Sequence, residues 1–352
     1  MVELNNIFFS FILLFIGYFL TKFLLVSFRN KKIDFLVDNQ FTKPQAFHEK
    51  PTYRVGGLIN FFLLILVFVY LYFFKNLIYF EYISFSALFF FLGFLDDLKI
   101  KIAPKLRLLF MILLLFFLVL YNEIYIENVG FEFLNKLLET DIFAFFFICL
   151  CFLFIINGSN LIDGFNGLLG LHTLIIFLVL FVINFINGNI YLVDILFFNI
   201  VLSIIFLIFN FPKAQIFLGD SGAYLLGSLI AVSVIKTSIL IPEISPFFFC
   251  MLLFYLFFEV FFSFFRKILV ARQSPLFPDN KHLHMSLYKL LLKSKKIPEK
   301  ANYLVSIYIN SVYLFMIAPG FIFIENNFFC KYYFIFLTIF YVFVYNFLNR
   351  KT

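Results

Sequence analysis

The stretch Phe154-Ile-Ile-Asn-Gly-Ser-Asn-Leu-Ile-Asp-Gly-Phe-Asn-Gly-Leu168 ends a long apolar run with a regular series of polar side chains. Asn157, Asn160, Asp163 and Asn166 follow one another at intervals of three, and residues three apart on a helix lie on one face. Amides and a carboxylate at the end of a membrane segment are costly, so they indicate a functional site. A polar helix cap followed by a turn is the alternative interpretation.

The composition predicts a polytopic membrane protein. Of the 352 residues, 64% are hydrophobic and only 13% are charged, whereas soluble domains are about half apolar and about a quarter charged. Because the backbone must satisfy its own hydrogen bonds in lipid, the apolar stretches are expected to be helices, which makes the fold class all-α. The net charge of +7 is attributed to loops beside anionic lipid, and no nucleic-acid partner is expected.

About eleven membrane-spanning helices are predicted from the apolar stretches. The N-terminus is expected outside and the C-terminus in the cytoplasm, because this orientation places most Lys and Arg residues inside. No separate soluble domain is recognisable, so residues 1–352 are expected to form a single integral-membrane domain. The predicted spans are Ile7–Ser27, Gly57–Phe74, Leu77–Leu95, Leu106–Tyr121, Ile142–Ile156, Leu168–Phe185, Ile190–Phe209, Ala223–Ile235, Pro246–Phe265, Tyr303–Ala318 and Tyr332–Phe347.

An outside segment, Ile124–Phe133, alternates in polarity and predicts either a small hairpin or an ordinary connecting loop. The unusual polar clusters, in contrast, all fall on the cytoplasmic side of the predicted topology. Since that topology follows from hydropathy and basic residues alone, the convergence indicates one shared cytoplasmic site. The clusters are Phe47–Gly57, Gly93–Arg107, Asn157–Gly167, Asn210–Gly222 and Arg266–His284.

Carboxylates in these clusters are candidates for binding Mg²⁺. Asp96 and Asp97 end a predicted span as neighbours, and two charges so close repel each other unless a cation lies beside them. Mg²⁺ prefers carboxylate and phosphate oxygens, so the pair predicts metal binding or proton transfer, with a plain acidic helix end as the alternative. Asp220 lies between Gly219 and Ser221-Gly222 at the start of another span, where backbone N–H groups suit a phosphate and the carboxylate suits its metal.

Basic residues in the same clusters are candidates for binding an anionic substrate. Arg107 follows the Asp pair, and His48 and Arg54 precede the two glycines that open a span. Other basic residues nearby are assigned to anionic lipid head groups.

A later loop carries His282 and His284, close in sequence to Arg266. Zinc would need further ligands at suitable spacing, and the loop has none. A diphosphate is therefore the predicted ligand, with a solvated loop carrying incidental histidines as the alternative. His172 stands alone in an apolar run and is predicted to be a packed core residue.

Together these motifs resemble the polyprenyl-phosphate N-acetylhexosamine-1-phosphate transferases, and the WecA-like branch more closely than the MraY branch. Arg54 before Val-Gly-Gly favours the WecA-like branch. The resemblance rests on the order and spacing of His48 with Arg54-Val-Gly-Gly57, Gly93-Phe-Leu-Asp-Asp97 with Arg107-Leu108, Asn157-x-x-Asn160-x-x-Asp163-Gly164, Phe217-Leu-Gly-Asp220 with Gly222, and Asp279-x-x-His282-x-His284.

The resemblance implies that N-acetylhexosamine 1-phosphate, foremost GlcNAc 1-phosphate, passes from a UDP-sugar to undecaprenyl phosphate with release of UMP. This would be the first membrane step of surface glycan synthesis. It also implies a need for Mg²⁺, with Mn²⁺ as a substitute, and a site on the cytoplasmic face of a bacterial inner membrane. UDP-N-acetylhexosamine and undecaprenyl phosphate are the implied partners, and a homodimer is a possible assembly.

By position, Asp96 and Asp97 resemble the family's catalytic pair, one of them deprotonating or orienting the lipid phosphate. Asp220 resembles the Mg²⁺ ligand, and Asp97 is the second candidate for that role. Asp163, with Asn157 and Asn160, resembles the group on the nucleotide side and is the third catalytic candidate.

The two loop histidines, His282 and His284, resemble the segment that holds the diphosphate or the sugar. Three departures put the choice of sugar in doubt: Met285 stands where the family often has a third His, Met111 where it commonly has Gln, and Asn166 where it has a second Asp. A relative using another UDP-N-acetylated sugar is therefore the first alternative. A secondary transporter is the second, although such proteins bind near the bilayer midplane rather than at helix ends.

Overall fold

A computed structural model describes residues 3–30, 36–39, 47, 50–100, 102–270, 272–274 and 279–351. The described chain is mostly helical, which confirms the predicted fold class. Its helices are α1 (Leu4–Asn30), α2 (Gly56–Lys75), α3 (Phe80–Asp97), α4 (Pro104–Asn122), α5 (Glu132–Leu138), α6 (Asp141–Ile162), α7 (Leu168–Ile186), α8 (Ile190–Asn210), α9 (Gly219–Leu240), α10 (Pro246–Leu252), α11 (Phe254–Phe265), α12 (Leu283–Lys293), α13 (Pro298–Ile322) and α14 (Asn327–Lys351).

Within the described residues, nine helices are long and apolar enough to cross a membrane, and a bent pair makes ten. The pair consists of α10 and the helix Phe254–Val270, and the two are bent by 78° at Leu253. The second helix ends in a π-helical turn, Arg266–Val270. The remaining predicted span coincides with α3, which has 18 residues and carries its three carboxylates in its first and last turns. Charges at helix ends lie where lipid gives way to water, so this position lowers their cost.

Helix α9 is the buried centre of the fold. Every residue from Ser221 to Ile235 is buried, and α9 is approached closely by α2, α3 and α6. A Cβ atom on Gly57 of α2 would lie 2.4 Å from the backbone nitrogen of Gly222, and one on Gly93 of α3 would lie 2.4 Å from the carbonyl oxygen of Asp220. Small residues allow this backbone-to-backbone packing, which in lipid replaces the missing hydrophobic driving force.

A small three-stranded sheet was not predicted. Strand β2 (Thr52–Arg54) pairs antiparallel with β1 (Val37–Asp38) and parallel with β3 (Ile216–Phe217). The parallel register places Arg54 opposite Phe217, three residues before Asp220. The sheet therefore brings two clusters that are far apart in sequence to the start of α9.

Two local predictions need correction. The described segment 123–131 contains no strand, so the hairpin interpretation is wrong, and the short helix α5 follows it. Helix α6 runs six residues beyond the predicted end of its span, through Asn157 and Asn160, and stops at Ile162. The apolar criterion ended this helix early, because its last turns carry polar side chains, of which Asn160 bonds Asp220 and the others bond their own helix.

The close contact at Gly93 predicts the effect of adding one methyl group. Gly93→Ala would push α3 from the backbone of α9, and overpacking of this kind costs about 1–3 kcal/mol. We expect a lower thermal unfolding midpoint in detergent. Gly164→Ala is the matched control, since its nearest neighbour would be the Phe47 ring at 4.0 Å. Equal midpoints for the two variants would contradict tight packing of α3 on α9.

Candidate active site

Asp97 ties the end of α3 to the start of α9. Its Oδ1 accepts a hydrogen bond from the backbone N–H of Asp220 at 3.0 Å, and its Oδ2 accepts one from the N–H of Ser221 at 2.9 Å. The carboxylate is buried, and it satisfies N–H groups that the first helical turn leaves without partners. This contact fixes the position of the Asp220 backbone and so the point from which its side chain extends.

Arg54 reaches the same place from the small sheet. Its Nη2 donates to Asp38 Oδ2 at 2.6 Å, and its Nη1 lies 3.7 Å from Asp97 Oδ1. Burial works against the charge of Arg54, but the carboxylates of Asp38, Asp220 and Asp97 outweigh it and raise its pKa above the usual value. Arg54 therefore stays cationic beside a group of acids.

Arg107 approaches from the first turn of α4. Its Nη1 donates to Asp96 Oδ2 at 2.7 Å and lies 3.7 Å from Asp220 Oδ2. Asn160 of α6 donates from Nδ2 to Asp220 Oδ1 at 3.0 Å. The carboxylate of Asp220 thus has an amide on one side and an arginine on the other.

Apart from Asn160, these side chains line a cavity of about 340 Å³ at one end of the helices. The cavity combines cationic side chains, which suit phosphate oxygens, with carboxylates, which suit a divalent cation. It is lined by Val37, Asp38, Arg54, Asp96, Asp97, Lys99, Ile100, Ile102, Arg107 and Asp220.

Asp163 lies just past the end of α6, near the same acids. Burial, together with the negative charge of Asp220, raises the pKa of its carboxyl to about 8 against the opposing effect of Arg54. A carboxyl in this state holds its proton at neutral pH until a cation arrives to favour the charged form.

The carboxylates of the cavity fit Mg²⁺ in a particular way. Among the described residues, no three His, Cys, Asp or Glu side chains converge as a ready-made metal cage. Mg²⁺ is usually held by one or two carboxylates, with phosphate oxygens and waters completing its shell. Asp220 and Asp97 match that pattern, since both line the cavity and Asp220 is held by a neutral amide rather than by a close ion pair.

The later loop and Arg266 form a second group, and none of its residues lines the cavity. Arg266 donates to Asp279 Oδ2 at 2.7 Å, and this bond lowers the pKa of the Asp279 carboxyl although burial works against it. His282 and His284 are both buried; Nδ1 of His284 lies 3.0 Å from the Tyr255 hydroxyl, and burial lowers its pKa to about 3. The ring of His284 contacts that of Phe165 at 5.7 Å between centroids, so the segment after α6 joins the two groups.

The remaining predicted residues are placed as follows. Asn157 donates from Nδ2 to the Leu153 carbonyl of its own helix at 2.8 Å, and it does not line the cavity. His48 lies outside the described residues. His172 is buried with its Nδ1 3.0 Å from Asn310 Oδ1, which confirms the prediction of a packed core residue.

Two acidic residues of these groups were missed from the sequence. Asp38 pairs with Arg54 through the unpredicted sheet, and strands of two and three residues leave no periodic signal. Glu259 bonds His282 from within α11. Its signal was present, because an isolated carboxylate in an apolar span marks a functional position by default.

The chain is similar in sequence to known transferases. A family model of glycosyl transferase family 4 matches residues 79–238. An undecaprenyl-phosphate alpha-N-acetylglucosaminyl 1-phosphate transferase of Thermotoga maritima is 30% identical over 271 residues, which are 76% of this chain and 77% of the relative. The chain belongs to glycosyl transferase family 4.

The family assignment confirms the resemblance seen in the motifs. A phospho-N-acetylmuramoyl-pentapeptide-transferase of Dictyoglomus thermophilum is 30% identical over 289 residues, covering 79% of this chain and 88% of the relative. A probable undecaprenyl-phosphate N-acetylglucosaminyl 1-phosphate transferase of Bacillus subtilis is 29% identical over 204 residues, covering 56% and 54%. The matched segment of this family 4 member runs from Tyr79 to Ser238 and carries Asp96, Asp97, Arg107 and Asp220.

The raised pKa of Asp163 predicts a pH-dependent stability. The pKa of this carboxyl is about 8 in the folded protein and about 4 in the unfolded chain. Its contribution to the free energy of unfolding is therefore fully present below about pH 4 and is lost as the pH rises through about 8. Asp163→Asn stays neutral throughout. With EDTA present, we therefore expect the variant's unfolding midpoint to rise relative to wild type by at least about 2 °C between about pH 5 and about pH 9.

Asp141→Asn, at an exposed position in the first turn of α6, is the matched control for this measurement. Its midpoint should follow that of the wild type at every pH. A constant difference between Asp163→Asn and wild type over this range would mean that Asp163 carries its charge in the folded protein.

Proposed function

We propose that this protein transfers N-acetylhexosamine 1-phosphate from a UDP-sugar to undecaprenyl phosphate and releases UMP. GlcNAc 1-phosphate is the proposed group, and the reaction is the first membrane step of a surface glycan such as O-antigen, on the cytoplasmic face of a bacterial inner membrane. One observation carries the proposal: Arg54 and Arg107 face Asp96, Asp97 and Asp220 around a cavity at the end of apolar helices. Such a site can join a water-soluble diphosphate to a phosphate anchored in lipid.

The proposed step is a displacement at phosphorus. An oxygen of the lipid phosphate forms a bond to the β-phosphorus of the UDP-sugar. The bond from that phosphorus to the bridging oxygen breaks, and UMP departs with the electron pair. The sugar keeps its bond to the transferred phosphate, so the product is a lipid diphosphosugar.

The side chains of the cavity divide the work in this proposal. Arg54 and Arg107 bind phosphate oxygens and offset the charge that gathers as two anions meet. Asp96 accepts a proton from the lipid phosphate or orients it, while Asp97 holds the first turn of α9. Asp220 and Asp97 would hold Mg²⁺, which neutralises charge on the diphosphate and on the departing nucleotide.

The experiment that tests the reaction uses purified protein with undecaprenyl phosphate, Mg²⁺ and a panel of donors. UDP-GlcNAc, other UDP-N-acetylhexosamines and UDP-N-acetylmuramoyl-pentapeptide are compared, because relatives named for both GlcNAc and muramoyl-pentapeptide transfer match this chain. We expect UMP release with UDP-GlcNAc that stops with EDTA and returns with Mg²⁺ or Mn²⁺. Release of UDP instead of UMP would mean ordinary glycosyl transfer, and release with the pentapeptide donor alone would overturn the choice of sugar.

The role of Asp220 predicts a large loss on removing its charge. Asp220→Asn keeps the shape of the side chain but removes a charged metal ligand, and stabilisation by a bound metal is worth several kcal/mol in the transition state. We expect the rate of UMP release to fall by about 100-fold or more, with the unfolding midpoint near that of wild type. Asp141→Asn should retain the wild-type rate. Near-normal turnover by Asp220→Asn would remove this residue from the mechanism.

A further inference from the structure

Glu259 is a buried carboxylate in α11 with three hydrogen-bond donors around it. Its Oε1 lies 2.9 Å from His282 Nδ1 and accepts from the backbone N–H of Leu283 at 3.1 Å. Its Oε2 accepts from the hydroxyl of Tyr341 on α14. Only 1% of Glu259 is exposed. A buried carboxylate is costly unless it is fully hydrogen-bonded, so this arrangement indicates that Glu259 has a specific role besides packing.

The contacts of Glu259 determine the orientation of the His282 ring. An ionised carboxylate only accepts hydrogen bonds, so Nδ1 of His282 must carry a proton toward Oε1. The opposite nitrogen, Nε2, then lies 3.3 Å from Asp279 Oδ1. A carboxylate beside one ring nitrogen fixes the direction of the ring in this way. His282 is thereby held between Glu259 and the acid that also binds Arg266.

The last helix contacts the elements on either side of this loop at three successive points. Tyr341, Tyr345 and Asn349 are four residues apart, so they lie on one face of α14. Tyr341 contacts Glu259, and the Tyr345 ring lies 6.0 Å from the guanidinium carbon of Arg266. Asn349 Oδ1 accepts from Ser286 Oγ of α12 at 2.7 Å.

We propose that Glu259 and Tyr341 are positioning residues for the transfer reaction, acting through His282. Tyr341 holds Glu259, Glu259 orients the His282 ring, and the ring positions Asp279, whose bond to Arg266 presents that arginine to the UDP-sugar. The inference rests on the proposed function. It gives α14, which lies outside the matched residues 79–238, a role in binding the donor.

Steady-state kinetics of UMP release test this role. Glu259→Gln should raise KM for the UDP-sugar by about tenfold or more, because the hydrogen bonds of a charged carboxylate are weakened, and should change kcat less. Tyr341→Phe is a milder variant that leaves two donors on Glu259, and we expect a smaller rise in KM. Tyr332→Phe is its matched control on the same helix, because the Tyr332 hydroxyl has no hydrogen bond to any described residue, and its KM should equal that of wild type.

The same substitutions in a His282→Ala background test whether the effect passes through His282. If it does, Glu259→Gln and Tyr341→Phe add little to the loss already caused by His282→Ala, because residues in one network are not additive. If the wild type is active, two outcomes would overturn the proposal: KM increases that multiply in the double variants, or a fall in kcat at constant KM. No UMP release by the wild type would overturn the proposed function, and this proposal with it.

A measurement independent of activity tests the contact itself. The chain has only 4 His residues, so ¹⁵N-histidine labelling gives a spectrum that His282→Ala assigns by the loss of its signals. We expect a proton on Nδ1 of His282 in the wild type and a shifted Nδ1 signal in Glu259→Gln. An unprotonated Nδ1, or a signal that Glu259→Gln leaves unchanged, would overturn the positioning role.

Discussion

The hydrogen bonds from the first turn of α9 to the Asp97 carboxylate are the contact on which the site depends. Helix α9 is surrounded by α2, α3 and α6, so its position is determined by backbone packing. Its rotation and depth at the site end are determined by Asp97, whose two oxygens receive the N–H groups of Asp220 and Ser221. The positive end of the helix dipole offsets the cost of burying the Asp97 carboxylate there.

The charged side chains around the cavity differ in how closely they are paired. Arg107 pairs closely with Asp96, and Arg54 pairs with Asp38. Asp97 and Asp220 lie 3.7 Å from the nearest arginine nitrogen and accept hydrogen bonds from backbone N–H groups and from Asn160 instead. A phosphate would compete for the same arginines, and a divalent cation would compete for the same carboxylates. Binding both together gives new partners to the arginines and to the carboxylates, whereas binding either alone leaves one set of charges without partners. This is a physical reason to expect metal and diphosphate to bind as a unit.

The sequence predicted those features that depend on composition over long stretches or on charges at helix ends. Every predicted span coincides with a helix or with the bent pair, because the need to satisfy the backbone in lipid leaves few other structures. The convergence of Arg54, Asp97, Arg107 and Asp220 was predicted from topology, since helix ends on one side of a membrane share one surface. The small sheet and Asp38 were not, because strands of two and three residues depend on neighbours that only the folded chain supplies.

Glu259 shows where sequence reasoning stops for a different reason. A lone carboxylate in an apolar span is visible as an anomaly, but its meaning depends on which groups surround it. Those groups come from His282 and Tyr341, 23 and 82 residues along the chain, and no local pattern relates the three. Spacing along α14 does indicate a shared face for Tyr341, Tyr345 and Asn349, yet it does not say what that face meets. Long-range packing alone connects the last helix to Glu259 and to Arg266 at the end of α11.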